Sequence, residues 1–393
     1  MANVSSVRLT IPKAASGGII RSELVSSVLG NKKKLVYIHA GAGYGKTTLL
    51  SQIAVSCENT VWLTLDGEND VFTFIDTLSE AVKQSFSEYE FAVSEYLPFE
   101  GKENFITMLA NAFIISIEKH AKDIMLIIED LHTTQEPQIR SIVTSIIKYP
   151  PDNIRVCLSS REAPWQELIP LRIRGSILEL TQKELAFTRE ETAQILGFND
   201  DGVFNITEGW PIAIGSFRVL MENGVSLADI PVQGSEALYS YLLFECISRL
   251  SAEMVHFLRI SAGFEELDAQ MLDSVLRIKN SRMLLESLVS RNIFTIKTSS
   301  GQYRYHALFR EYLLETGDKP GRLLMQHEAA RYYLDIKQYP RPQYMRYFQM
   351  IRKCCGRLYC PVIRNILETA ASANCAYGFL PLEIHPPCQT GRF

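Results

Sequence analysis

The chain has 393 residues, 47% of them hydrophobic and 21% charged, enough for two or three domains with cores of their own. A mean hydropathy of +0.01 is that of a soluble globular protein, and a formal charge of −4 argues against a surface built throughout to bind nucleic acid or anionic membrane. The N-terminal stretch has no unbroken apolar core, and no run approaches the ~18 consecutive apolar residues of a spanning helix, so neither a signal peptide nor a membrane span is expected and the cytoplasm is the expected compartment.

After a short arm, Lys34–His39 reads as a buried strand, followed by a Gly-rich turn, Ala40–Gly45, and a helix over Lys46–Ser56. Val61–Leu65 reads as a second strand, and helical periodicity resumes over Val71–Phe86 and Phe105–His120. Ile124–Ile128 is continuously apolar, as a strand covered on both faces must be; a helix over Ile139–Ile147 then precedes another such strand, Ile154–Leu158. Strands alternating with helices imply a parallel sheet with crossover helices, so residues 1–170 are expected to form a three-layer α/β domain.

Beyond it the pattern turns helical. Thr188-Arg189-Glu190-Glu191 is a capping box that opens a helix running to Leu196, with Gly197 suited to its C-terminal end, and more helix follows Pro211. Residues 171–228 are expected to be a small helical domain. Residues 229–318 carry amphipathic helices over 234–290, then alternating strands Ile293–Lys297 and Tyr303–His306 around a Ser-Ser-Gly turn, the order of a winged-helix domain. A helix with a Leu308, Phe309, Tyr312, Leu313 stripe follows, and Leu323–Ile336 fits the first helix of a helical array.

Three cysteines (Cys57, Cys157, Cys246) lie singly in apolar segments and read as small buried hydrophobes. The other five (Cys354, Cys355, Cys360, Cys375, Cys388) crowd residues 341–393, in spacings that fit no paired zinc pattern. That tail holds seven Lys/Arg and two Asp/Glu, so it is +5 while the remaining 340 residues are −9. Residues 319–393 are therefore expected to join the start of a helical region to an atypical tail, as a frameshifted or truncated reading frame would give.

The sharpest motif is Ala40-Gly41-Ala42-Gly43-Tyr44-Gly45-Lys46-Thr47-Thr48, which matches GxxxxGK(S/T) except for Ala40 in place of the first Gly. Its glycines (Gly41, Gly43, Gly45) let successive backbone N–H groups curl around phosphate oxygens at a helix N-terminus. Lys46 is placed to reach the β/γ-phosphates and the Thr47 hydroxyl to ligate Mg²⁺. Such a loop needs an acid on a neighbouring strand, and strand 124–128 ends in Glu129-Asp130. Arg161 stands at the C-terminal end of a further strand, where open α/β sheets bind ligands, and is a candidate reader of a γ-phosphate.

Together these motifs resemble the STAND class of P-loop NTPases, and within it the MalT-like ATP-dependent regulators of the LuxR group. The resemblance spans roughly residues 7–335. Its parts, in order, are the arm Ile20-Arg21-Ser22-Glu23-Leu24, the phosphate loop through Thr48, Trp62-Leu63-Thr64-Leu65-Asp66, Glu129-Asp130-Leu131-His132, Ser159-Ser160-Arg161, Gly209-Trp210-Pro211 and Tyr305-His306-Ala307-Leu308-Phe309-Arg310. It implies that Ile20 and Arg21 pack near an adenine, that Tyr44 and Thr48 belong to the nucleotide cradle, and that Pro211 and His306 meet the nucleotide in the resting state. ADP would hold a closed monomer; ATP with Mg²⁺ would favour an open, self-associating form, and slow hydrolysis would reset it. Glu129 replaces the family's usual Asp, so Asp130 is expected to carry more of the metal and catalytic role, with slow turnover. The long sensor and helix-turn-helix of the family are not among these motifs, so DNA binding is expected only through a helix-turn-helix outside this chain. Two rival readings are an AAA+-type motor with genuine turnover and a DNA-binding protein acting through the winged helix, although Lys297, Arg304 and Arg310 make no dense basic stripe.

Overall fold

The computed structural model describes residues 6–13, 18–67, 70–119, 123–134, 136–148, 150–224, 247–248 and 250–317, together with positions 325, 328, 329 and 332. Two compact units divide the chain, the first comprising Met1–Ala252, Leu285–Lys297 and Tyr305–Tyr312, the second Glu253–Leu284, Thr298–Arg304 and Leu313–Phe393.

The first unit is built on a parallel sheet of five strands, β1 (Leu35–His39), β2 (Thr60–Thr64), β3 (Ile124–Glu129), β4 (Ile154–Ser160) and β5 (Ile177–Leu180), in the order β2-β3-β4-β1-β5. Every residue of β1 and β3 is buried, which is why their sequences are apolar without alternation. Helices α1 (Ser22–Gly30), α2 (Lys46–Val55), α3 (Val71–Ser85), α4 (Phe105–Glu118) and α5 (Pro137–Lys148) accompany the sheet. Asp70 starts α3 by accepting from the N–H groups of Phe72 and Thr73. The main core joins Leu63, Leu126, Ile128 and Leu158 of the strands to Phe74, Leu78, Phe113 and Ile142 of the helices. Burying side chains of this size contributes about 1.5–3 kcal/mol each.

The sheet runs past the expected boundary at residue 170. Strand β5 pairs in parallel with β1, Leu35 opposite Ile177 through Ile38 opposite Leu180. It went unread because it has four residues, one of them Glu179, and only its two ends are buried. A short helix, α6 (Ile169–Ile173), leads into it.

The helices α7 (Gln182–Leu185), α8 (Arg189–Leu196), α9 (Asp201–Thr207) and α10 (Pro211–Glu222) follow. The capping box at Thr188 and Glu191 forms with both reciprocal bonds, and Gly197 closes α8 at φ 85°. Leu196, Val203, Ile214 and Phe217 make the small core of this part. Strands β6 (Thr295–Lys297) and β7 (Tyr303–Tyr305) and the helix Ala307–Thr316 occupy the places expected of the hairpin and the helix after it.

In the second unit, Asp268 caps the helix Ala269–Leu276 by accepting from the N–H groups of Gln270 and Met271. Leu267 and Tyr303 exchange two backbone hydrogen bonds, of 2.7 and 3.0 Å. Cys157 is fully buried and Cys57 half-buried; Cys246 lies outside the described residues, as do residues 341–393 with their five cysteines and most of the expected helix 323–336. Among the described residues no helix is long and apolar enough to cross a membrane.

Candidate functional site

Four strands of the sheet present their C-terminal ends to one region, and the residues singled out in the phosphate loop, β3 and β4 meet there. The loop leaves β1 at Ala40 and enters α2 at Lys46. Gly43 and Gly45 have φ of 74° and 75°, the left-handed backbone that lets glycine curl the loop at no steric cost. Lys46 is buried, and its Nζ donates to the carbonyls of Ala40 (2.9 Å) and Gly41 (3.0 Å), which places the ammonium within the curl.

Glu129 ends β3 with only 2% of its surface exposed. Its Oε1 accepts from the hydroxyl of Thr47, and its Oε2 accepts from the hydroxyl of Thr64 at 2.9 Å. Burial pushes the Glu129 carboxyl above the usual carboxylate range, with the Thr47 and Thr64 hydroxyls opposing that rise and nearby Asp130 adding to it. The extra methylene moves the Glu129 carboxylate onto the Thr47 hydroxyl, whereas Asp130 adopts a left-handed backbone (φ 57°), and its carboxylate lies 3.8 Å from Nδ1 of His132. The Asp130 N–H donates to Ser159 Oγ at 3.2 Å.

The side of the loop away from β3 is covered. Trp210 Nε1 donates to the carbonyl of Ala42 (3.1 Å), and the N–H of Ile212 donates to the carbonyl of Gly43 (3.1 Å). Pro211 between them opens α10 at its first position, where a missing N–H costs nothing. Tyr44 is buried against Trp210, and its hydroxyl accepts from Gln182 at 2.7 Å. A Cβ at Gly43 would lie 2.5 Å from Ile212 Cγ2, so this close approach requires glycine.

His306 is buried with its ring 5.7 Å from that of Trp210 and also from that of Phe294, and its Nε2 lies 2.9 Å from the carbonyl of Thr207. It stands behind Trp210 rather than on the loop. The segment before β6 does touch the loop: a Cβ at Gly41 would lie 2.6 Å from the Asn292 carbonyl oxygen. Asn292, at φ 50°, donates through Nδ2 to the Arg161 carbonyl (2.7 Å) and faces Nδ1 of His39 (3.2 Å). His39 Nε2 lies 2.9 Å from Glu179, which also pairs with Arg172. Burial pushes the His39 pKa down against the opposing pull of Glu179. A neutral ring with its proton on Nε2 satisfies both neighbours.

At the N-terminal arm, Ile20 is exposed. Arg21 is buried, and its guanidinium donates to the carbonyls of Leu185 (2.9 Å), Glu184 (3.2 Å) and Ala186 (3.4 Å) while its Nε pairs with Glu191 at 2.7 Å. Its backbone N–H donates to Gln52 on α2. The side chain thus ties the arm to α7 and α8, while its backbone is held beside α2. Thr48 is half-buried on the first turn of α2, and Arg161 is half-buried just past β4.

These donors suit a magnesium-bound nucleotide. A hydroxyl and a carboxylate are hard oxygen ligands of the kind Mg²⁺ takes beside waters and phosphates, and a loop of left-handed glycines at a helix N-terminus with a buried lysine suits phosphate. Among the described residues no group of three or more His, Cys, Asp or Glu forms a metal cluster of another kind. Sequence reasoning missed Thr64, His39 and Asn292 as members of the site. His39 and Asn292 are 253 residues apart, so nothing local announces the pair. Thr64 was legible only as part of the Trp62–Asp66 string.

Residues 243–322 match the MalT winged helix domain. Over 324 residues the chain is 26% identical to the HTH-type transcriptional regulator MalT of two strains of Klebsiella pneumoniae, an alignment that covers 78% of this chain and 36% of each relative. The chain thus spans about a third of the length of these curated relatives. Among solved structures it is similar to a STAND protein with a tetratricopeptide repeat sensor from Pyrococcus horikoshii (18% identity, TM-score 0.42, covering 93% of this chain and 52% of that one). It is also similar to Cdc6p from Pyrobaculum aerophilum (11% identity, TM-score 0.36, 84% and 99%). The resemblance to MalT-like regulators drawn from the motifs is borne out.

Proposed function

We propose that this chain is the nucleotide-dependent switch of a MalT-like transcriptional regulator, closed with ADP and open with ATP. The observation that carries the reading is the pair of hydrogen bonds from Trp210 and Ile212 to the carbonyls of Ala42 and Gly43, which fastens α10 to the phosphate loop itself. A loop that must rearrange around phosphates cannot do so without disturbing those bonds, so its state is coupled to the seating of α10.

Lys46, Thr47, Thr48 and the backbone N–H groups of Gly43–Thr47 would hold the phosphates, and Thr47 with Glu129 would hold the metal. Asp130 and Arg161 stand at the adjoining strand ends, while Ile20 and Arg21 flank α2 where a base would lie. When bound, ATP supplies a γ-phosphate whose charge and hydrolysis distinguish one state from the other. Lys46 and Arg161 would be the residues that sense that charge, because a ligand shifts an equilibrium only by its differential affinity for the two states. Pro211 and His306 act through the Trp210 stack that covers the loop. Contact with DNA through a helix-turn-helix, as the names of the relatives suggest, and self-association of the open form complete the reading.

Calorimetric titration of the full chain with ADP and with ATP·Mg²⁺, beside a Lys46→Ala variant, tests it. Binding of both nucleotides by the wild type and neither by the variant is expected, with steady-state turnover well below one per second. A wild type that binds neither nucleotide contradicts the reading, and rapid turnover favours a motor instead.

A further inference from the structure

The Glu129 carboxylate is gripped from two sides by hydroxyls, and only one of them belongs to the phosphate loop. Thr64 is the last residue of β2 and sits directly opposite Glu129 in the parallel register. The adjoining Leu65 N–H donates to the Glu129 carbonyl at 3.0 Å, so the two strand ends are locked together where the carboxylate emerges.

The direction of the side-chain bonds is fixed by chemistry. Trp62 is two residues before Thr64 and therefore on the same face of β2. Its indole Nε1 can only donate, and it donates to Thr64 Oγ1 at 2.9 Å. The Thr64 hydroxyl accepts that bond and spends its own proton on Glu129 Oε2 at 2.9 Å. Thr47 takes the other oxygen, Oε1. Both hydroxyl protons thus converge on one buried carboxylate and favour its ionised form against burial.

We propose that Thr64, set by Trp62, is a positioning residue that aims the Glu129 carboxylate at the Thr47 hydroxyl, and that the glutamate at 129 and the threonine at 64 are a matched pair. A glutamate spans from β3 to both hydroxyls; an aspartate, shorter by one carbon–carbon bond of about 1.5 Å, reaches one of them at most. The glutamate here is then a working part of the site. This inference rests on the reading of the site as one for magnesium and nucleotide.

The test compares the full-length wild type with Thr64→Val, Thr64→Ser and Glu129→Asp in two measurements. The first is the pKa of Glu129 in nucleotide-free protein, followed by the side-chain ¹³C resonance of labelled glutamate and assigned with Glu129→Gln. The second is the gain in ATP affinity on adding Mg²⁺ to protein titrated in chelator. Thr64→Val is expected to raise the Glu129 pKa and to lose about tenfold of the Mg²⁺-dependent gain. Thr64→Ser should keep both properties, and Glu129→Asp should fall below wild type in the Mg²⁺-dependent gain. A Thr64→Val protein with an unchanged pKa and an unchanged gain overturns the proposal, as does a Glu129→Asp protein that matches or exceeds wild type. A wild type that binds no ATP overturns the nucleotide reading instead, and the pKa comparison then still decides the role of Thr64.

Discussion

The Nδ2 of Asn292 donates to the backbone carbonyl of Arg161 across 2.7 Å, joining the turn before β6 to the end of the strand that carries the candidate γ-phosphate reader. The same amide faces His39 at 3.2 Å, and Ser290 accepts from the N–H of Ala163 at 3.2 Å. This turn therefore fastens onto two strand ends of the candidate site at once. Asn292→Gly keeps the left-handed backbone cheap and removes only the side-chain bonds, each worth about 0.5–1.5 kcal/mol. ADP is expected to leave this variant about five- to tenfold faster, measured by stopped-flow release of a fluorescent analogue. An unchanged release rate would show that the turn does not hold the site closed.

Gly43 is where α10 comes closest to the phosphate loop. A methyl there would meet Ile212 Cγ2 at 2.5 Å on a backbone of φ 74°. Gly43→Ala should lower the melting temperature of the ADP-bound protein. Adding Ile212→Ala should recover part of the loss, since it removes the clash but not the backbone strain of about 1–2 kcal/mol. Strictly additive losses in the double variant would mean that α10 does not press on the loop at this point.

Burial raises the Glu129 pKa in the folded chain above its value in the unfolded one. The folded state then binds this proton more tightly, so the group favours folding below the ordinary carboxylate range, and that contribution is lost as pH rises through the folded pKa. At neutral pH, Glu129→Gln is expected to raise the melting temperature of the nucleotide-free protein by about 1–3 °C while abolishing the Mg²⁺-dependent gain in ATP affinity. Thermal denaturation at pH 7.5 and pH 5 checks it: the advantage over wild type should shrink at the lower pH. A variant less stable than wild type at pH 7.5 would contradict this sign.

Arg21 separates two roles that the sequence runs together. Its guanidinium grips three carbonyls and Glu191, so Arg21→Ala removes the ion pair of a half-buried carboxylate and a donor to three carbonyls. A loss of about 2–4 kcal/mol of stability is expected from such a site whether or not nucleotide is present. Chemical denaturation with and without ADP measures it. A variant of normal stability with weakened ADP affinity would make Arg21 a nucleotide contact instead of a clamp.

What could be read ahead of the structure followed from local chemistry. The buried runs of β1 and β3, the capping box at Thr188 and the left-handed glycines of the phosphate loop each declare themselves within ten residues. The fifth strand did not, because Glu179 breaks its apolar pattern; that glutamate is held by His39, 140 residues away, as well as by nearby Arg172. The pairing of Asn292 with Arg161 and His39 was equally silent, since a single asparagine in a turn has many ordinary explanations. Glu129 was legible as an acid at a strand end beside the phosphate loop. Its reach depends on Thr64, which identifies itself only once β2 and β3 are in register.

The coupling of α10 to the phosphate loop can be read directly from amide hydrogen exchange over residues 210–216, which include the Ile212 N–H bonded to Gly43. A nucleotide switch predicts that this segment exchanges slowly with ADP bound and markedly faster with ATP·Mg²⁺, and that Lys46→Ala responds to neither. Equal protection of the segment with both nucleotides, in a wild-type protein that binds each of them, would contradict the switch.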